Sequence, residues 1–290
     1  MAAGSAGRDR AGWDETRADA RVTDVFLAPH YDDVALSCGG TVAALAGRGT
    51  PPLVITIFGG EPTANDLTAF ARWQHERWGT GEADTVATRL DEELAAAAAL
   101  GCATATLPFL DAIYRGEAYL SDEALFGAVD PADAALPGQI AGALLALPAL
   151  AAAEPPAVNL FVPLAIGNHV DHQIVYAVGR MLAARGWRVS AYEDFPYAVL
   201  GTATARRLAD VGAEIGAAET RPVATLARRV AAIGAYRSQL PVIFRFTDDW
   251  PGVIAAHAFA LGAGQGAMER FWPLGGTKVQ ASPAGRNRPD

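Results

Sequence analysis

The chain has 290 residues, 51% of them hydrophobic and 19% charged, with a formal net charge of −9. That length suits one large α/β domain, the composition excludes wholesale disorder, and an acidic surface of this size does not gather nucleic acid phosphates or anionic lipid. Two cysteines, Cys38 and Cys102, are too few for a disulfide scaffold and form no CxxC metal pattern, which fits a reducing cytoplasm.

In chain order, residues 1–20 are polar, mix both charges and lack the apolar core of a signal peptide, so they read as a disordered leader. The run VTDVFLA over 22–28 predicts a buried strand, and 34–46 follows with helical apolar spacing. LVITIF over 53–58 predicts a second strand, stopped by Gly59 and Gly60. Strand, helix and strand in close succession form a βαβ unit, whose two strands are parallel. Residues 60–80 read as a long polar and aromatic loop, of a length that is usually functional. A strongly amphipathic helix is predicted over 85–100, closed by Gly101, and then a short strand over 103–107.

Residues 114–138 read as irregular, a lid or crossing loop. A helix rich in Ala and Leu is predicted over 139–153; Pro148 interrupts it, and it is too short and broken to span a bilayer, so integral membrane association is not expected. NLFVPL over 159–164 predicts the fourth strand, 172–185 a helix, 189–193 the fifth strand and 220–236 a further helix. This alternation predicts a Rossmann-like, mostly parallel open sheet with helices on both faces. Residues 21–278 read as a single α/β domain whose part beyond about residue 205 is a helical or β appendage, and 279–290 as a disordered tail. In such sheets ligands bind beyond the carboxyl ends of the strands.

Two predicted strands end in polar clusters. After 22–28 comes Pro29-His30-Tyr31-Asp32-Asp33, and after 159–164 comes a segment ending in His169-Val170-Asp171-His172. A lone histidine after a strand is usually structural, and paired aspartates often only cap a helix. Here three of the five histidines fall in two such clusters, both at strand ends. A catalytic zinc takes imidazole and carboxylate ligands from three residues and keeps one position open. His30, Asp33 and a histidine of the second cluster supply that set, and Asp32 would lie beside the metal as a general base.

PHYDD resembles the HPDD signature of the PIG-L or LmbE-like zinc-dependent de-N-acetylases, and His169-Val-Asp-His172 resembles that family's second histidine motif. Leu36-Ser37-Cys38-Gly39-Gly40 also fits its pattern. The resemblance runs from about residue 22 to 197, and more loosely to Glu269-Arg270-Phe271-Trp272. It implies zinc, or another divalent metal, on His30, Asp33 and His172, with Asp32 as general base and His169 stabilising charge on the substrate carbonyl. Tyr31 stands where the family has proline, and Val34 where many members have glutamate; neither is a ligand position.

Further substrate-binding candidates are Glu61 in the Gly-Gly-Glu turn, Arg89 of an Arg89–Glu92 RxxE pattern, Asp111 and Arg115 in FLDAIYR, and Tyr197 in EDFPY. Arg89 reads equally well as a solvated helix charge, and Tyr197 as a packed aromatic. His75 and His257 read as structural or surface residues, and Cys38 as a small buried hydrophobe.

The expected function is zinc-dependent removal of the acetyl group from an N-acetylglucosamine-type amino sugar by activated water, in a bacterial cytoplasmic enzyme with a small-molecule substrate. The alternatives are an amidase acting on a thiol or sugar conjugate and a non-catalytic carbohydrate- or metal-binding module, which would have no need of Asp32 and His169. A nucleotide-binding oxidoreductase is disfavoured, because PHYDD occupies the place of GxGxxG. Nothing in the sequence specifies an oligomeric state.

Overall fold

A computed structural model of the chain describes residues 23–81, 84–223 and 225–275. The expected leader and tail lie outside the described residues. Among the described residues seven strands form one sheet: β1 (Asp24–Ala28), β2 (Leu53–Thr56), β3 (Ala103–Thr106), β4 (Asn159–Pro163), β5 (Arg188–Tyr192), β6 (Glu219–Pro222) and β7 (Met268–Pro273). Their order is β3-β2-β1-β4-β5-β7-β6. The pairs from β3 through β5 are parallel, whereas β7 runs antiparallel to β5 and β6 antiparallel to β7.

The helices are α1 (Asp33–Ala46), α2 (Ala69–Arg77), α3 (Thr85–Leu100), α4 (Asp122–Leu125), α5 (Leu136–Ala146), α6 (Pro148–Ala151), α7 (Val170–Ala184), α8 (Ala203–Val211), α9 (Leu226–Ile233), α10 (Leu240–Ile243) and α11 (Trp250–Gly262). Alternate strand residues face opposite sides of the sheet. Val25, Leu27, Ile55, Leu160 and Val162 join a core with Ile140 and Leu144 of α5 and Ile174, Val178 and Leu182 of α7. Phe26, Ala28, Val54, Phe161 and Tyr192 join a second core on the other face, with residues of α1, α3 and α9. Both faces are therefore covered, which is why the strands read as near-continuous apolar runs.

Several elements differ from the sequence expectation. The helix expected over 139–153 begins earlier, at Leu136, and breaks at Leu147, whose ψ of 140° is the extended conformation that a following proline imposes. The loop expected over 60–80 contains α2, capped by Thr68, whose side chain accepts from the Ala71 N–H. The irregular stretch at 114–138 holds α4, capped by Ser121. The helix expected over 220–236 divides into β6 and α9. Residues 219–222 pair with β7, a partner distant in sequence that no local periodicity reports.

The C-terminal elements extend the same sheet and are stitched into the first helix. α1 is broken at Cys38 (φ −143°, ψ 23°). The break leaves backbone amides without helical partners. The Glu269 carboxylate on β7 accepts from the N–H groups of Gly40 and Thr41 at 3.0 and 2.7 Å and from the Thr41 hydroxyl at 2.6 Å. Arg229 of α9 pairs with Glu269 at 3.1 Å and donates to the carbonyl of Leu36. Gly40 is required at this crossing, since a Cβ there would meet Val223 at 2.4 Å and Glu269 at 2.9 Å.

Candidate metal centre and active site

β1 and β4 are neighbours at the point where the strand order reverses direction. Chain leaving such strands diverges to opposite faces and opens a crevice. His30, Asp32 and Asp33 leave β1 there, and His169 and His172 begin α7 just beyond β4. The β4–α7 turn carries two residues in the left-handed region, Ala165 (φ 63°) and Asn168 (φ 61°). Such conformations are unfavourable for non-glycine residues, and here they turn the chain between β4 and α7.

Ligand atoms of His30, Asp33 and His172 all lie within 4.8 Å of one another. His30 Nδ1 is 3.3 Å from Asp33 Oδ2, and His172 Nε2 is 3.3 Å from Asp33 Oδ1. The far nitrogen of each ring is engaged by a different buried carboxylate. His30 Nε2 is 3.0 Å from Asp171 Oδ2, and His172 Nδ1 is 2.6 Å from Asp194 Oδ1. Carboxylates in this position fix the tautomer and make the inner nitrogen a better metal ligand. The inner set of two imidazole nitrogens and one carboxylate therefore fits a three-ligand metal with an open position. The field agrees: burial opposes charge on the rings, but Asp33 and Asp194 raise His172 to about 10, and Asp111, Asp171 and Asp33 hold His30 well above its ordinary value. Against burial, the two histidines hold the carboxyl of Asp33 well below its usual range. A pocket that so favours positive charge is one that favours a cation.

A second group, His30, His169 and Asp171, also has metal-ligand spacing. Asp171 is already spent. It takes the His30 ring, the Ala112 N–H at 3.0 Å and the Arg115 guanidinium at 2.7 Å. A buried guanidinium at that distance repels a cation, so the first group is the metal candidate.

Asp32 and His169 flank this group and line a cavity of about 670 Å³. The Asp32 side chain makes no capping bond to α1, so its carboxylate serves the cavity and not the helix. Burial and then Asp33 raise its carboxyl above the usual range. A shift in that direction makes the carboxylate a stronger base, as the acceptor of a proton from water requires. His169 is the N-cap of α7, and its Nδ1 accepts the Asp171 N–H at 3.2 Å. The proton of the neutral ring is therefore on Nε2. Burial and then His30 hold this imidazole well below its ordinary value, so it is neutral at pH 7. It can donate from Nε2 to an oxygen that gains negative charge.

The remaining candidates separate. Arg89 is buried, lines the cavity, lies 3.7 Å from Asp111 and stacks over Trp78 at 4.9 Å; it is not a solvated helix charge. Asp111 lines the cavity 3.6 Å from His30 Nε2, while its Oδ1 caps the short turn Ala112–Tyr114. Tyr197 lines it too, 6.2 Å from the His172 ring. Its ring lies so close over Gly167 that a Cβ there would meet it at 2.4 Å. Two residues expected to contact substrate lie outside the cavity lining. Arg115 is absent from the cavity wall, because the Ala112–Tyr114 turn carries it behind Asp171, where it also pairs with Asp133 at 3.0 Å. Glu61 is exposed and outside the lining. Glu92 of the RxxE pattern instead binds Ser238. His75 is buried against the Tyr114 hydroxyl at 2.6 Å, and His257 packs beside Phe195.

Sequence reasoning missed the two carboxylates behind the histidines. Both stand inside quoted motifs, Asp171 in HVDH and Asp194 in EDFPY, but which imidazole each faces is set by the fold. It also missed Glu93, next to Glu92 and facing inward. Tyr236 bonds both Glu93 and the carbonyl of Tyr31, in the middle of PHYDD, the latter at 2.9 Å.

The family profile described as PIG-L: GlcNAc-PI de-N-acetylase matches residues 25–183. The chain is 34% identical to a 2'-N-acetylparomamine deacetylase of Niallia circulans, over 60% of this chain and 66% of that protein. It is 33% identical to a 2'-N-acetylparomamine deacetylase of Streptomyces fradiae, over 60% of this chain and 57% of that protein. The match thus spans less than two thirds of either relative's length. Among solved structures, the A40926 pseudoaglycone deacetylase superposes with a TM-score of 0.70 at 26% identity, over 88% of this chain and 97% of that one. A deacetylase of the teicoplanin biosynthesis pathway superposes at 0.75 and 25% identity, over 89% of this chain and all of that one (100%). With its profile match over both motifs and a crevice built from them at adjacent strand ends, this chain belongs to the PIG-L de-N-acetylase family.

Proposed function

We propose that this protein is a zinc-dependent N-deacetylase that hydrolyses the acetamide of an N-acetylglucosamine-type amino sugar in a secondary-metabolite precursor. The observation that carries the reading is the convergence of His30, Asp33 and His172 to within 4.8 Å beside Asp32 and His169 at one cavity floor. The deacetylase names of the relatives support the reaction class and the amino-sugar substrate. Cys38 and Cys102 are buried free thiols, which supports a reducing, cytoplasmic location.

His30 Nδ1, Asp33 and His172 Nε2 would hold the metal. A divalent zinc there would polarise the amide carbonyl and lower the pKa of a water toward about 7. Asp32 takes one proton from the attacking water as its oxygen bonds to the carbonyl carbon. His169 Nε2–H donates to the carbonyl oxygen as negative charge develops; a preorganised donor of this kind contributes about 3 kcal/mol. When the C–N bond breaks, Asp32 returns its proton to the departing nitrogen, giving acetate and a free amine. Arg89 and Asp111 border the floor and orient the sugar, while Arg115 acts only through Asp171.

Asp32→Asn tests the assignment. The variant should retain one zinc by elemental analysis and lose about 100-fold or more of amine release, the range for a positioned acid–base group. Full activity in that variant would remove the proposed base. His172→Ala should instead lose the metal.

A further inference from the structure

The outer half of the cavity differs in character from its floor. Seven large hydrophobic side chains are exposed among the described residues, and three of them, Phe126, Leu200 and Phe246, line this one cavity. Val242 and Ile243 of α10 extend the same wall. The wall is held in place. Asn168 Nδ2 donates to the carbonyls of Phe126 and Gly127 at 2.9 and 3.0 Å, which ties this turn to the N-terminus of α7. The Phe126 ring stands edge-on to His169 at 5.3 Å and to Tyr197 at 5.8 Å. On the opposite side Phe244 is buried against Phe195 and Trp250, which anchors the segment that carries Ile243 and Phe246. Exposed aromatics fixed in this way, contiguous with a polar floor, are the signature of a binding wall.

The rim charges narrow the occupant. Arg77, Asp122, Glu123 and Arg245 line the mouth, two cations against two anions, and Arg77 is 3.7 Å from Asp122. At the floor Asp33 and Asp111 face His30, His172 and Arg89, and at the mouth Asp122 and Glu123 are matched by Arg77 and Arg245, so the outer half offers an amine-rich group no net negative charge. We propose that this outer half is a subsite for an uncharged apolar aglycone, an aryl or alkyl group attached to the amino sugar, and that Phe126, Leu200, Ile243 and Phe246 set this preference. The proposal rests on the deacetylase reading for the placement of the sugar at the floor.

The test uses the zinc-loaded full chain and N-acetylglucosaminides that differ only in aglycone: methyl, octyl and phenyl, together with 2'-N-acetylparomamine as the amine-rich competitor. Amine release should show kcat/KM for the octyl or phenyl glycoside at least about tenfold above the methyl glycoside, the scale of a filled hydrophobic contact. The polyamine should be poorer than both. The double variant Leu200→Ser with Phe246→Ser alters only exposed residues, and it should lower the octyl-to-methyl ratio toward one. Equal kcat/KM across aglycones, or a preference for the polyamine, would overturn the subsite while leaving the deacetylase intact. Absence of amine release from every glycoside would overturn the deacetylase reading. Calorimetric titration of octyl against methyl glucosaminide, the free amines, would then still decide the subsite, with tighter octyl binding supporting it and equal binding refuting it.

Discussion

Replacing Asp194 by asparagine tests whether the metal site depends on the carboxylate behind its histidine. Asp194 is fully buried and faces two donors: His172 at 2.6 Å through Oδ1 and the Ile166 N–H at 3.1 Å through Oδ2. Asparagine has the same shape but only one acceptor oxygen. Whichever way its amide turns, an NH2 group meets a donor, so either the Ile166 N–H is orphaned or the His172 ring must present a bare Nδ1. The second choice puts the ring proton on Nε2, the nitrogen that faces Asp33 and the metal. Loss of such a partner weakens metal binding about 10–100-fold, or about 1.4–2.8 kcal/mol. Competition with a chromophoric chelator measures the zinc affinity directly, and far-ultraviolet circular dichroism confirms the fold. Amine release at saturating zinc should recover in large part, because the ligands themselves remain. A folded Asp194→Asn protein with unchanged zinc affinity would refute the argument.

Other outcomes follow from the same geometry. Burial raises the Glu93 carboxyl from 4.5 to about 8, so the folded state keeps a proton that the unfolded chain releases. The stability it contributes is complete below about pH 4.5 and is lost as pH rises toward 8, on the order of 5 kcal/mol at most. Glu93→Gln keeps an acceptor oxygen for the Tyr236 hydroxyl, and its melting temperature should fall less than that of the wild type between pH 5 and pH 8; equal falls would exclude Glu93 as the source. Gly167→Ala should displace the Tyr197 ring and raise KM more than it lowers kcat in amine-release kinetics. Glu269→Ala leaves Arg229 buried without its partner and the amides of Gly40 and Thr41 unsatisfied, and should cost about 3–5 kcal/mol in urea unfolding.

The five parallel strands, α1, α3 and α7 were legible in the sequence, because buried β-rich runs and 3.6-residue periodicity are local signals. PHYDD and HVDH were legible for the same reason: each lies in the turn between a strand and the following helix, and a parallel sheet opens its crevice at those ends. What local pattern could not supply is pairing over long separations. Residues 220–222 read as helix until β7 is beside them, since their extended conformation is stabilised by a partner strand and not by their own propensity. The same holds for side chains. Arg115 and Glu93 each lie four residues beyond a cavity-lining residue, Asp111 and Arg89, yet the fold turns Arg115 behind Asp171 and Glu93 onto Tyr236. The sequence by itself determined which atoms are able to bind a metal, because residue type and strand-end position limit the donors. Only the tertiary structure decided which nitrogen of each histidine is left for the metal, because Asp171 and Asp194 reach those rings from positions that only the packed chain brings together.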